Sequence, residues 1–188
     1  MQTPELYGLV LMGGRSQRMG KDKAQLVYHD KPQREYLYDL LNVHCQKAFL
    51  SVKVSDTSFP LPQIQDEYTM ASPLNGILSA LKNFPDQAWL TVPCDMPNVD
   101  EQLIKNLITM RHPDKIFTGF YDSDGHFPDP LLGIWEPHVL PLLEEYALHH
   151  KSPRNFLLNN DTHLLACPDS RYLQNINTPE EFKKFRSK

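Results

Sequence analysis

Cysteine is scarce in this chain of 188 residues: Cys45, Cys94 and Cys167 lie far apart, with no CxxC pair among them. That excludes a disulfide framework or a zinc knuckle and fits reduced thiols in a cytoplasmic protein. A cationic excess is also missing. Lys and Arg number 19 against 23 Asp and Glu, a formal net charge of -4, where a nucleic-acid-binding domain calls for a basic face. Long apolar runs are absent too, since stretches such as 9–12 and 140–143 are far too short to span a bilayer. The start, Met-Gln-Thr-Pro-Glu, lacks a basic region followed by an apolar core, so no signal peptide is expected. Internal repeats and linker-like tracts are lacking, and 16 prolines punctuate the chain without clustering. What is present, 40% hydrophobic and 22% charged residues, suits one soluble domain spanning 1–188. A domain near that size buries roughly 70% of its unfolded surface and needs no covalent staple.

Glycine is limited to eight residues, yet half of them fall between Gly8 and Gly20. Arg15, Arg18, Lys21, Asp22 and Lys23 crowd the same region, which carries a net +3 over residues 15–23. It follows 6–12, a short apolar run that reads as a buried parallel strand. Beyond it, Pro32 opens a helix with Leu37, Leu40, Leu41 and His44 on one stripe. Strands are expected at 48–54, 88–92, 116–120, 131–135 and 163–166, and helices at 73–82, 100–110, 137–146 and 152–158. Asp122-Ser-Asp-Gly125 is a turn between two of those strands, and Thr178-Pro-Glu-Glu starts a last helix with Thr178 as its N-cap. Phe182 and Phe185 would dock that helix onto the domain, while Trp89 and Trp135 pack in or beside strands.

The alternation predicts an α/β fold with a mostly parallel sheet, whose ligands bind beyond the C-terminal ends of the strands. Two segments meet there: the loop 13–23 and Pro93-Cys94-Asp95-Met96-Pro97. The loop matches neither Walker A nor GxGxxG, but its physics is related. Gly13 and Gly14 let backbone N–H groups approach phosphate oxygens, Arg18 can grip them bidentately, and Lys23 supplies a point charge. Asp95, at the end of a buried strand beside this loop, is placed to bind Mg²⁺ bridging phosphate oxygens. Asp66 is a second candidate, in a loop where an acidic residue is otherwise just solvated.

The run from Leu11 to Lys23, LMGGRSQRMGKDK, resembles the LxGGxSxRMGxDK signature of molybdenum cofactor guanylyltransferases, members of the nucleotidyltransferase superfamily. Four further segments resemble that family in order. They are Ser72-Pro-Leu-Asn-Gly76 (GPLxG), Pro93-Cys-Asp-Met-Pro97 (PCDxP), Pro130-Leu-Leu-Gly-Ile-Trp135 (PLxALY) and Asn175-Ile-Asn-Thr-Pro-Glu-Glu181 (NxNTPED). The resemblance implies a single Rossmann-like three-layer domain with helices on both faces of the sheet, like the nucleotide-diphospho-sugar transferases. It also implies an enzyme that joins the GMP of GTP to the terminal phosphate of molybdenum-bearing molybdopterin and releases pyrophosphate. Carried over by position, Leu11, Met12, Gly13 and Gly14 would lie against guanine and ribose. Arg18 and Lys23 would hold the triphosphate, Asp95 would bind Mg²⁺, Asp66 would help hold the nucleotide, and Asn175 and Asn177 would face the pterin. Cofactor-transfer partner proteins are a family-level expectation.

Three departures stand out: Met12 replaces a small residue, Ser72 replaces the first glycine of GPLxG, and the pterin end around Asp129 and residues 150–160 matches loosely. Arg154 there is either a phosphate ligand or an exposed helix arginine. Two rival readings are a cytidylyltransferase for the same pterin and another small nucleotidyltransferase. A third, a non-catalytic nucleotide-binding module, is opposed by the intact Lys23 and Asp95. Gly14 and Asp22 favour guanine over cytosine.

Overall fold

A computed structural model describes residues 3–12, 23–53 and 60–186, the side chain of Lys23 excepted. Its centre is a seven-stranded sheet in the order β3-β2-β1-β4-β6-β5-β7. The strands are β1 (Leu6–Leu11), β2 (Lys47–Val52), β3 (Gln63–Gln65), β4 (Ala88–Pro93), β5 (Phe117–Tyr121), β6 (Pro128–Trp135) and β7 (Thr162–Leu165). The helices are α1 (Gln33–His44), α2 (Leu74–Asn83), α3 (Glu101–Thr109), α4 (Leu140–Ala147), α5 (Pro153–Leu158) and α6 (Pro179–Arg186).

Strand alternation sorts the side chains between two cores. From β1, Val10 joins Leu37 and Leu41 of α1 and Leu103, Ile104 and Leu107 of α3 on one face. Tyr7, Leu9 and Leu11 join Ile77, Leu78 and Leu81 of α2, with Leu143 of α4 and Phe156 of α5, on the other. The sheet is therefore the middle of three layers, and strands buried on both faces appear in sequence as continuous apolar runs. Close approach sets some of the composition. A Cβ at Gly8 would stand 2.8 Å from Leu41 Cβ, and one at Gly133 would stand 2.2 Å from the Phe117 ring.

β1 pairs in parallel with β2 and β4, β2 with β3, and β5 with β7, whereas β6 runs antiparallel to β4 and β5. The reversal of β6 comes from the hairpin after β5. There Asp122 Oδ1 accepts the N–H groups of His126 (3.1 Å) and Phe127 (3.3 Å), and Gly125 takes φ 73°. Reversal places the start of β6, Pro128 and Asp129, at the same edge as the C-terminal ends of the parallel strands.

Several boundaries differ from the sequence expectation. β2 spans 47–52 rather than 48–54, and Val54 lies outside the described residues. β3 was not anticipated, because only Ile64 of its three residues is apolar. The helix expected over 137–146 divides into a 3-10 turn, Pro137–Val139, and α4, with Pro141 in the first turn of α4 where its missing N–H costs nothing. β7 spans 162–165, one residue earlier than expected. The last helix forms with the anticipated capping box: Thr178 Oγ1 accepts from Glu181 N (3.2 Å), and Glu181 Oε2 accepts from Thr178 N (3.1 Å).

Candidate active site

The strand order reverses between β1 and β4, so the crevice beyond their C-terminal ends is the switch point at which α/β sheets bind ligands. Cys94 N–H donates to the Leu11 carbonyl (3.2 Å), fixing the turn after β4 against the end of β1. Asp95 follows, half-buried. Its carbonyl accepts the Ile176 N–H (2.8 Å), which carries the Asn175-Ile176-Asn177 segment to the same place. Ile176 is buried with Leu26 and Tyr28 against Phe182 and Phe185, so α6 does dock on the body of the protein. Tyr28 meets both phenylalanine rings edge-on, with centroids 5.0 and 5.3 Å away. Burial pushes its phenol pKa up, and the Asp95 charge adds to the shift.

On the β2–β3 side, Asp66 stands at the end of β3, its N–H bonded to the Val52 carbonyl (2.8 Å). Its Oδ1 accepts from Ser51 Oγ (3.2 Å). Burial raises the Asp66 pKa, while the Ser51 hydrogen bond and the Lys53 charge oppose that shift. Asp66 is thus held by structure and is not merely solvated. Gly76 explains the last glycine of the GPLxG-like turn: a Cβ there would lie 2.2 Å from Ser51 Oγ. Ser72 has its own bonds, since Oγ accepts from Leu74 N (3.2 Å) and donates to the Lys151 carbonyl (2.6 Å). Buried Asn75 ties down the strand-to-helix loop, taking the Tyr68 N–H on Oδ1 (3.0 Å) and donating to the carbonyls of Tyr68 and Met70 (3.3 Å for Met70).

On the β6 side, Asp129 is 8% exposed, and its Oδ1 accepts from the N–H groups of Leu131 (2.9 Å) and Leu132 (3.3 Å). Burial raises its pKa first of all. The two backbone N–H groups and Arg154 pull the other way, and Asp95 pushes it further up. Arg154 Nη1 donates to Asp122 Oδ2 (3.2 Å), and its guanidinium lies over the Phe127 ring, 6.0 Å from the centroid. The sequence offered Arg154 and Asp129 only as loose matches and gave no signal for Phe127. These groups come from two elements that only the fold brings together.

Of the anticipated nucleotide residues, Leu11 is buried on the α2 face, with its carbonyl engaged by Cys94. Met12 is half-buried and packs against the α1–α3 core at the end of β1. Gly13, Gly14, Arg18 and the side chain of Lys23 lie outside the described residues. Lys23 opens a 3-10 turn, Lys23–Gln25. Tyr36 serves packing, stacking on His29 (4.0 Å) and bonding the Val99 carbonyl (3.3 Å). Among the described residues no helix is long and apolar enough to cross a membrane, and no three His, Cys, Asp or Glu form a metal cluster.

A mostly parallel α/β sheet with a carboxylate at its switch point offers a crevice in which such folds bind ligands, nucleotides among them. The solved molybdopterin-guanine dinucleotide biosynthesis protein A from Archaeoglobus fulgidus has the same fold, with a TM-score of 0.80 at 18% identity, covering 96% of this chain and 97% of that one. Residues 8–164 match the MobA-like NTP transferase domain. A molybdenum cofactor biosynthesis bifunctional protein from Synechocystis is 37% identical over 96% of this chain, which spans 53% of that protein's length. A molybdenum cofactor guanylyltransferase from Pseudomonas fluorescens is 31% identical over 92% of this chain and 89% of its own. The chain belongs to the MobA-like NTP transferase domain family and is a nucleotidyltransferase.

Proposed function

We propose that the chain transfers GMP from GTP to the terminal phosphate of molybdenum-bearing molybdopterin. The observation that carries this reading is the position of Asp95. It sits at the β1–β4 switch point, bonded through its backbone to the Asn175–Asn177 segment, in a chain similar along nearly its whole length to a guanylyltransferase. In the reaction an oxygen of the acceptor phosphate attacks the α-phosphorus of GTP. One P–O bond forms, the bond from the α-phosphorus to the bridging oxygen breaks, and pyrophosphate leaves with that electron pair.

No protein nucleophile is needed, so the work of the chain is positioning and charge neutralisation. Gly13, Gly14 and Met12 at the end of β1 would border the guanosine, with Leu11 supporting them from below and Asp66 holding the nucleotide across β2. Arg18 and Lys23 would clamp the triphosphate, and Asn175 and Asn177 would face the acceptor. One half-buried carboxylate fits Mg²⁺, which is commonly held by one or two carboxylates together with substrate phosphates. Asp95 would hold that ion, which supplies positive charge to the phosphate oxygens when bound. GTP as donor, a cytoplasmic location and hand-over of the product to partner proteins belong to the same reading.

Calorimetric titration with GTP, CTP, ATP and UTP in the presence of Mg²⁺ tests it. GTP is expected to bind best, and Asp95→Ala or Lys23→Ala should lower its affinity at least tenfold. A preference for CTP would keep the chemistry and overturn guanine as the base.

A further inference from the structure

We propose that Phe127 is the stacking platform for the flat heterocycle of the acceptor substrate, and that Arg154 and Asp122 hold its ring in place. The inference rests on the reading above and assigns a residue to the acceptor side that no sequence motif marks.

Three observations meet at this residue. First, Phe127 is 48% exposed, a large aromatic ring facing water at the edge of the sheet where the strands end. A single exposed ring is common on a protein surface, so its weight here comes from the two observations that follow. Second, the residue is anchored at its backbone and its ring lies against a cation. Its N–H donates to Asp122 Oδ1 (3.3 Å), and the same carboxylate's Oδ2 accepts from Arg154, whose guanidinium covers the ring at 6.0 Å. Burial pushes the Asp122 pKa up, but the His126 and Phe127 N–H groups and the Arg154 charge outweigh it, so the carboxylate pins backbone and cation together. A preorganised platform loses little freedom when a ligand settles on it. Third, the position suits the acceptor. Phe127 lies two residues before Asp129 on the same chain, about 7 Å away along an extended backbone. Asp129 is close enough to Asp95 to feel its charge. The line from Asp95 through Asp129 to Phe127 runs away from Asp66 and the nucleotide, towards the side left for the second substrate. A pterin is planar, aromatic and electron-poor, and it stacks on a phenyl face as a nucleobase does.

The test is steady-state kinetics of the full chain with GTP and molybdenum-loaded molybdopterin, following pyrophosphate release. Phe127→Ala should raise KM for the acceptor about tenfold or more, the size of one lost base–aromatic stack, while KM for GTP and kcat stay within about twofold. Phe127→Trp should restore the acceptor KM, which a merely structural role would not predict. Because half of the ring is already in water, Phe127→Ala should melt close to wild type, as a circular dichroism scan will show. An active wild type whose Phe127→Ala variant keeps its acceptor KM, or loses GTP affinity equally, overturns the platform alone. A folded wild type that guanylylates no acceptor overturns the reaction and the platform with it.

Discussion

Arg111 and Glu136 make a stability prediction that is independent of the active site. Arg111 follows α3 and Glu136 follows β6, and they meet at the end of the sheet opposite the switch point. Two parallel bonds join them, Nε to Oε1 (2.6 Å) and Nη2 to Oε2 (2.8 Å), while Nη1 donates to the Pro4 carbonyl (3.0 Å). The Glu136 side chain is 0% exposed and that of Arg111 is 10% exposed. Arg111→Met would leave the carboxylate buried without its counter-charge, a loss of about 3–5 kcal/mol. Unfolding entropy near 2.1 cal/mol/K per residue gives about 0.4 kcal/mol/K for a chain of this length, so Tm should fall roughly 8–13 °C. Glu136→Met alone removes the buried charge itself, and the double variant Arg111→Met/Glu136→Met should recover much of the loss. Circular dichroism melts at neutral pH of wild type, both single variants and the double decide the matter. A Tm for Arg111→Met within about 3 °C of wild type, or a double variant less stable than Arg111→Met, would refute the reasoning. kcat at 25 °C should not change in the folded fraction, since the pair lies at the far end of the strands.

Two further perturbations probe the site's scaffold. Gly76→Ala would drive a methyl into Ser51 Oγ, so it should cost about 1–3 kcal/mol in urea denaturation, and Ser51→Ala in the same chain should relieve part of that; a Gly76→Ala variant as stable as wild type contradicts the packing described. For Asp129 the sign follows from the raised pKa. Its contribution to stability is fully present below the unfolded pKa and is lost as pH climbs through the higher folded value. Asp129→Asn keeps an acceptor for the Leu131 and Leu132 N–H groups without the buried charge. It should therefore raise Tm at about pH 7, and the advantage should shrink towards about pH 4. An advantage that stays constant over that range would speak against the electrostatic account.

The order of elements was legible because strands buried on two faces are mostly apolar. Thr91 is the one strongly polar side chain in the segments 6–11 and 88–92, and Asp95, two residues beyond the end of β4, stands out. Asp66 was less legible for a local reason. β3, the strand that positions it, is a three-residue edge strand with a single apolar side chain, so 63–65 reads as loop and Asp66 as solvated. Once β3 is in place, Asp66 and Asp95 are equivalent in kind, each the first acidic residue beyond a parallel strand. The side proposed for the acceptor was the least legible. Asp129 is buried at the start of β6, where its own side chain takes two backbone N–H groups. Arg154 and Phe127 face each other only because α5 packs on β6. None of this has a periodicity to read. For Gly13, Gly14 and Arg18 the motif itself is the argument.

Strand spacing gives the three acidic residues different work. Neighbouring strands lie about 4.8 Å apart, and β3 is separated from β4 by β2 and β1, so Asp66 and Asp95 stand about 14 Å from each other along the edge. No single ion can be shared across that distance, but a nucleoside with its first phosphate can span it. β6 is the immediate neighbour of β4, which brings Asp129 about one strand spacing from Asp95. Two carboxylates that close repel, and the Asp95 charge adds, as the smallest influence behind burial, to the raised Asp129 pKa. Positive charge arriving at Asp95 would relieve it. The edge is thus asymmetric about the switch point, with one distant carboxylate on the side proposed for the donor and a close pair where the proposed donor and acceptor would meet. In the proposed reaction, whose substrates are both polyanions, such a pair would favour the arrival of the cations that accompany them.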